Sequence, residues 1–451
     1  MLDILITGGK YPDYKKGVFI QKDIGIKDGK VVEIGNITMP AKKIINAEKK
    51  VVSPGFIDIH MHEENFLLEG QRYIIAEMML KMGVTTCLGG NCGVQYQDLD
   101  LFKNTITKLG GAPVNYLMLV GYNSYRNKIG VNTYAKANKA QQQKLLEIMK
   151  RELKEGAYGF SFGIEYDPGM DTDEIMNILA NFDDKNLLVS AHYRSDSKKA
   201  IAAIKEMITI ADRSEMKFQI SHLSSCSAMG QMKEALDLIN QEIQRNPKIS
   251  YDTYPYCAFS TEIGSTVFDE GCFETWEKAY DSILITDGEY KNKYCDKNLF
   301  EKIRKESPEM LVVAFVMNED EIAQAIANPY GMIASDGIIS HGNGHPRAAG
   351  TFPRVLGKYV REDKVISLLE ALRKMTLEPA KRLGLDNKGQ IACGCDADIT
   401  VFDPQTIKDG ANFFDLNIPP VGINCVIVNG KIAAEGNKLI NGRAGRFISY
   451  Q

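Results

Sequence analysis

From about residue 55 to residue 382, short apolar runs rich in β-formers alternate with stretches whose apolar residues recur every three or four positions. Strands that lie parallel need a long return between them, and a helix is its usual form, so this alternation is the signature of βα units. Eight runs carry it: GFIDIH (55–60), VTTCLGGNC (84–92), VNYLMLVG (114–121), AYGFSFG (157–163), LLVSAHY (187–193), KFQISHL (217–223), ISYDTYPY (249–256) and GMIASDG (331–337). The segments between them, such as 139–156 and 197–214, place apolar residues at helical spacing with charges between. Eight such units predict an α/β fold, a (β/α)8 TIM-type barrel spanning 55–384.

The two ends read differently. DILITGG, GVFIQKDIGIKDGKVVEIG and ADITVFDP are strand-like, and the pairs DGK (28–30) and NGK (429–431) are hairpin turns. Both ends are therefore expected to build one composite β-sandwich from 1–54 and 385–451. The stretch 261–310 is too long for a simple connection, and it is expected to be a mostly helical, lid-like insertion before the eighth barrel strand.

Composition excludes some functions. Lys and Arg number 54 against 58 Asp and Glu, so the net charge of -4 supplies no basic field for nucleic acid. No window approaches the roughly 20 apolar residues of a membrane helix, and MLDILITGGK carries no leader-like basic and apolar pattern. Nine scattered Cys fit no disulfide framework and point to a reducing compartment, so a cytoplasmic protein is expected. The expected partner is a small molecule, with a homo-oligomer left open.

Of six His, four fall at or just beyond the ends of predicted strands: His60, His62, His192 and His222. Barrel strands converge at their C-terminal ends, where active sites form. His60 and His62, two apart, point to one side of an extended strand. Imidazole nitrogens suit zinc, and Asp336, ending the eighth strand, brings a carboxylate to the same mouth. That ligand set suggests a metal that acidifies water and polarises a carbonyl, with Asp336 carrying the proton. Arg347 is the candidate for holding a substrate carboxylate, because its planar fork matches two oxygens. His341 and His345 flank the same loop as shapers of its hydrogen bonds. Cys393 and Cys395 form a C-x-C without acidic or His company and are read as packing.

The segments VVSPGFIDIHMH, GGNCGV, FGIEYDPG, SAHYR, ISHL, DTYPYCAFST, ASDG and HPRAAGTFPRVLGKYVRE resemble the amidohydrolase superfamily, and within it the D-aminoacylase (N-acyl-D-amino-acid deacylase) family. GQIACGCDADITVFDP is similar to the superfamily's closing sandwich strand. The resemblance implies hydrolysis of an N-acyl-D-amino acid to a carboxylate and a free D-amino acid. It implies that Cys92 takes the bridging-ligand place filled by a carboxylated Lys in many relatives. It further implies one tight Zn2+ on Cys92, His192 and His222, a weaker second position near His60 and His62, and Tyr166, Tyr254 and Ser260 as companions of Arg347. One departure stands out: D-aminoacylases usually carry a Lys two residues after the sixth-strand His, and this chain has Ser224. A cyclic-amide or ureido hydrolase of the dihydropyrimidinase kind is the alternative on the same fold, and a non-catalytic scaffold is the alternative from another class.

Overall fold

The computed structural model describes residues 1–451. All eight predicted strand segments form parallel strands: Phe56–Asp58, Val84–Gly89, Asn115–Met118 continued by Val120–Gly121, Gly159–Gly163, Leu188–His192, Lys217–Ile220, Ile249–Thr253 and Gly331–Ile333. Each pairs in parallel with the next in sequence. The first and eighth meet just past their ends, where Met61 bridges Gly337 and the Asp336 amide donates to the His60 carbonyl at 2.7 Å.

Helices such as Lys139–Lys154 and Ala200–Arg213 return the chain between strands. The former begins at Asn138, whose side chain accepts from the Gln141 amide while the Gln141 side chain accepts from the Asn138 amide, a capping box that fixes its start. Its Leu145, Leu146 and Met149 face inward. The strands are buried on both faces, as expected where helices cover one side and the interior of the sheet the other, although polar residues such as Thr86, Ser161, Gln219 and Asp252 lie among them.

The chain ends interleave. Leu2–Thr7 lies between Asp23–Lys27 and Ala41–Asn46, while Val51–Pro54 pairs with Ile399–Phe402 of the far end. Ile4, Ile24, Ile26, Val52, Ile399 and Ile427 share one core between the two sheets. The predicted Asp-Gly and Asn-Gly turns are present, with φ of 51° and 79° at Asp28 and Gly29, and 49° and 74° at Asn429 and Gly430. These turns touch. A Cβ on Gly430 would stand 2.5 Å from the Gly29 Cα, so the position requires glycine for space as well as for its backbone angle. The far end does not stay with these sheets throughout: Gly445 exchanges backbone bonds with Ala112, and Ile448 donates to the Tyr116 carbonyl, laying the last residues along the third strand.

The insertion departs from expectation. In place of a mostly helical lid, Phe259–Glu262, Leu311–Ala314 and Ile283–Ile285 form an antiparallel sheet with the Leu311 strand central. Helices Cys272–Trp276 and Lys297–Glu306 pack on it through Phe273, Trp276 and Phe300. Its strands are three or four residues long and far apart in sequence, too short for period-two patterning to stand out against the charged helices between them. No helix is long and apolar enough to cross a membrane.

Candidate metal centre

His192 closes its own strand, whereas the other predicted ligands lie past the ends of theirs. The first strand stops at Asp58, and its buried carboxylate accepts from the amides of His60 at 3.2 Å and Ser335 at 3.0 Å, fastening the turn that presents His60 and His62. Cys92, His222 and Asp336 each lie two or three residues past a strand end, with φ of 52°, 33° and 50°. A residue with a Cβ pays about 1–3 kcal/mol for the left-handed region, and such strain gathers where side-chain aim matters. Glycine makes one of these turns possible: a Cβ on Gly93 would fall 1.8 Å from Asn123 Oδ1, which receives the Gly163 amide at 2.9 Å.

These turns bring together residues far apart in sequence. Cys92 Sγ is 3.3 Å from His60 Nε2 and 3.3 Å from His222 Nε2. Asp336 Oδ1 is 3.3 Å from His60 Nε2 and 3.4 Å from His62 Nε2. Ligand atoms of His60, His62, Cys92 and Asp336 lie within 4.8 Å of one another, as do those of Cys92, His192 and His222. All six predicted metal residues therefore share one buried cluster joined at Cys92. His192 has another neighbour, however, because its Nε2 stands 2.7 Å from Glu165 Oε2 and 3.8 Å from Cys226 Sγ.

The cluster polarises itself. Burial pushes the Cys92 thiol up, yet the His60 and His222 imidazoles outweigh it and hold the thiol well below its ordinary range. Burial pulls His222 down, but the facing thiolate raises it to about 9. Burial likewise opposes charge on His60, which Asp252, Cys92 and Asp336 nevertheless hold well above its usual value. Burial would raise Asp336, and the Arg347 guanidinium 2.8 Å from Oδ2 reverses this, with help from His222 and His60. A thiolate, imidazoles and a carboxylate, all buried, form a donor set suited to a borderline-soft dication such as zinc.

Sequence reasoning missed Asp252. Its Oδ1 is 3.1 Å from His60 Nδ1 and receives the His222 amide at 2.8 Å, while Oδ2 receives Gln219 Nε2 at 2.9 Å. One carboxylate thus orients two candidate ligands, as outer partners of ligating imidazoles do. The available signal was a charge inside the apolar seventh strand, ISYDT. Glu165, Cys226 and Asp196 were also missed. Asp196 is buried, accepts from Trp276 Nε1 at 2.6 Å, and is pushed well above the carboxylate range by burial and by Glu165 and Cys226. No spacing rule announces these three, since they come from three separate segments that meet only around His192 in the folded chain.

Arg347 is buried, with NH2 donating to the Ser260 carbonyl at 3.1 Å and its guanidinium 4.7 Å from the Tyr254 ring centroid. Tyr254 therefore backs the guanidinium, and it lines neither lobe of the cavity above the cluster. Tyr166, Ser260, Thr261, Asp336 and Arg347 line both lobes. One lobe, of about 220 Å³, runs past His62, Cys92, Asn123 and Glu262. The other is walled by Glu165, His192, Asp196, Cys226 and Val267. His345 Nδ1 accepts from the Arg347 amide at 2.9 Å and its Nε2 faces the Ala258 carbonyl at 3.1 Å, while His341 is exposed on the neighbouring loop. Ser224 is fully buried and lines neither lobe. Cys393 is exposed and Cys395 buried, both remote from the cluster in the terminal sheets' connections.

The sequence pattern of the amidohydrolase family matches residues 51–433. A D-aminoacylase of Alcaligenes xylosoxydans xylosoxydans is 28% identical, covering 99% of this chain and 97% of its own. An N-acyl-D-glutamate deacylase of the same organism is 28% identical over 95% of this chain and 93% of its own. Among solved structures, the N-acyl-D-glutamate deacylase of Bordetella bronchiseptica, complexed with zinc and a phosphonate mimic of the tetrahedral intermediate, superposes with a TM-score of 0.87 at 28% identity, covering 99% of both chains.

Proposed function

The chain belongs to the amidohydrolase family, and on that premise we propose that it is a zinc-dependent deacylase that hydrolyses N-acyl-D-amino acids to a carboxylate and a free D-amino acid. The observation that carries this reading is the buried cluster in which Cys92 lies 3.3 Å from both His60 and His222, with the Asp336–Arg347 pair beside it. The names of the full-length relatives support the substrate class. The ring of parallel neighbours and the shared core of the terminal sheets support a (β/α)8 barrel over 55–384 with a composite sandwich from 1–54 and 385–451. Nine unpaired cysteines support work in a reducing compartment such as the cytoplasm.

Cys92, His192 and His222 would hold one ion, and Cys92 with His60 and His62 a second. An ion there supplies a Lewis acid that polarises the amide carbonyl and makes water a stronger acid. Asp336, kept ionised beside Arg347, takes the proton of the attacking water and gives it to the departing nitrogen, which leaves poorly until protonated. Arg347 receives the substrate α-carboxylate. A carboxylate drawing on the same guanidinium loosens its hold on Asp336, which returns basicity to the group when substrate is present. Ser260 Oγ, buried without a partner, offers a further hydrogen bond in the cavity.

The test is a screen of zinc-loaded protein against N-acetyl-D- and N-acetyl-L-amino acids, with hydantoins and dihydropyrimidines alongside, reading amine release and ring opening. Turnover confined to N-acetyl-D-amino acids is the expected result. Ring opening alone would replace the reading with a cyclic-amide hydrolase, and purified protein that takes up no metal would replace it with a scaffold.

A further inference from the structure

A substrate pinned by its α-carboxylate at Arg347, with its amide at Asp336, has two groups left to place: the acyl group and the amino-acid side chain. The cavity offers two lobes of unequal size, which meet at those same residues. One holds about 20 Å³, room for a single water-sized group such as the methyl of an acetyl. The other holds about 220 Å³, and at about 30 Å³ per water-sized group it takes a side chain of about five heavy atoms with space to spare. His192 and His222, two of the three candidate ligands of the tighter ion, wall the small lobe. The acyl group is bonded directly to the carbonyl that this ion polarises, so the small lobe is its place and the large lobe is left to the side chain.

The large lobe is rich in acceptors and poor in cations. Glu262 lines it with a carboxylate that forms no hydrogen bond or ion pair within the protein, and Glu309 adds a second negative charge nearby. Asp167, 1% exposed, lines it as well: Oδ2 accepts from Asn123 Nδ2 at 2.9 Å, while Oδ1 has no hydrogen bond. The Arg126 guanidinium stands 3.5 Å from that Oδ1 but is shared with Glu174 at 2.9 Å, which leaves the buried trio one negative charge in excess. The hydroxyls of Ser260, in a residue only 6% exposed, and of Ser265 are buried on the insertion side of the lobe without partners. Its sole Lys or Arg is Arg347, already given to the α-carboxylate. Acceptors left in this state are satisfied by donors from the ligand, and an ammonium brings three.

Building on the deacylase reading, we propose that the lobe lined by Glu262 is the subsite for a long cationic side chain, and that the protein selects D-amino acids of lysine-like length and charge that carry a small acyl group. An acidic side chain would find no cation there to receive it, and a neutral one would leave the acceptors unmet. D-Lysine and D-norleucine derivatives are the informative pair, because they share a four-carbon arm and differ in its ammonium. Glu234, on the outer helix Met232–Arg245, provides a control carboxylate outside the cavity.

The experiment compares kcat/KM of zinc-loaded protein for N-acetyl-D-lysine and N-acetyl-D-norleucine in the wild type, Glu262→Gln, Glu262→Lys and Glu234→Gln, with zinc content measured in each. The expected wild-type ratio favours lysine by about fivefold or more, Glu262→Gln lowers it at least about threefold chiefly through KM, Glu262→Lys reverses it, and Glu234→Gln leaves it in place. Equal rates or a preference for norleucine overturn the subsite, as does a ratio that Glu262→Gln fails to move or that Glu234→Gln abolishes. Faster turnover of N-(6-aminohexanoyl)-D-alanine than of N-acetyl-D-lysine also overturns it, because the long cationic arm would then be the acyl group. If no N-acetyl-D-amino acid is hydrolysed, the deacylase reading falls by itself, and calorimetric titration of the zinc-loaded protein with D-lysine and D-norleucine decides the subsite: tighter binding of D-lysine that Glu262→Gln abolishes supports it, and equal binding ends it.

Discussion

Of the places where charge is buried, two, at the starts of the parallel strands and beyond their ends, are built on opposite terms. At the starts, Lys388 lies 2.9 Å from Asp396 and also bonds Asp398, which receives the Asn429 amide at 2.6 Å and Asn115 Nδ2 at 3.2 Å. Lys30 pairs with Asp396. The cations and carboxylates there have their partners within the protein, and the cluster ties the terminal sheets to the third strand. Beyond the strand ends, three ligand candidates sit on left-handed backbone, and His62 Nδ1, His192 Nδ1 and Ser260 Oγ are buried without partners. A saturated cluster holds two parts together. A strained cluster with polar atoms to spare is arranged for something that arrives.

The largest test of this contrast is Asp336→Asn, which is expected to lower kcat on the order of 10³-fold while the protein keeps its zinc and its melting temperature. Near-normal turnover with zinc bound would remove Asp336 from proton transfer. The counterpart at the other cluster is Lys388→Met, which leaves Asp398 and Asp396 without their shared cation. Unfolding in urea should show a loss of about 3 kcal/mol with kcat unchanged, and an unaltered stability would mean that the cluster is not a joint. Smaller is Asp252→Asn, where weaker orientation of His60 and His222 should cost about 10–100-fold in zinc affinity by chelator competition, with little loss of stability in the metal-free protein.

The two clusters should also respond to pH with opposite sign. His222 has its folded pKa raised to about 9 from 6.5, so its contribution is complete below about pH 6.5 and is lost as pH rises through 9 in metal-free protein. Asp396 is lowered below 3.8, chiefly by Lys388 against the opposing effect of burial, so its contribution is complete above about pH 4 and is lost as acid is added. Urea midpoints of metal-free protein should therefore fall on both sides of neutrality. Bound zinc should remove the alkaline fall, because coordination takes the neutral imidazole and leaves no proton to lose. An alkaline fall that persists unchanged with zinc would place its origin outside the cluster.

Much of this was legible in the residues because it depends on short-range pattern. The eight strand segments, the helices of 139–156 and 197–214 and the Asp28–Gly29 and Asn429–Gly430 turns follow from local periodicity and backbone preference, and each was found where its pattern lay. The candidate ligands were legible for a related reason: rare residue types stood at strand ends, where a parallel fold gathers side chains. The short strands around Phe259, Ile283 and Leu311 were not, since their identity as a sheet depends on partners tens of residues away.

The sequence by itself determined which strands and helices form in the repeating βα units and which candidate ligands gather at a common mouth, since both depend on periods of two and 3.6 residues that a chain carries in its own order. Only the tertiary structure decided that Asp252 would steady two imidazoles, that Glu165 would face His192, that Tyr254 would back Arg347 and that Cys92, His222 and Asp336 would turn left-handed. These are meetings between distant segments in a low-dielectric interior. Their energies depend on distance and burial, which no local pattern encodes.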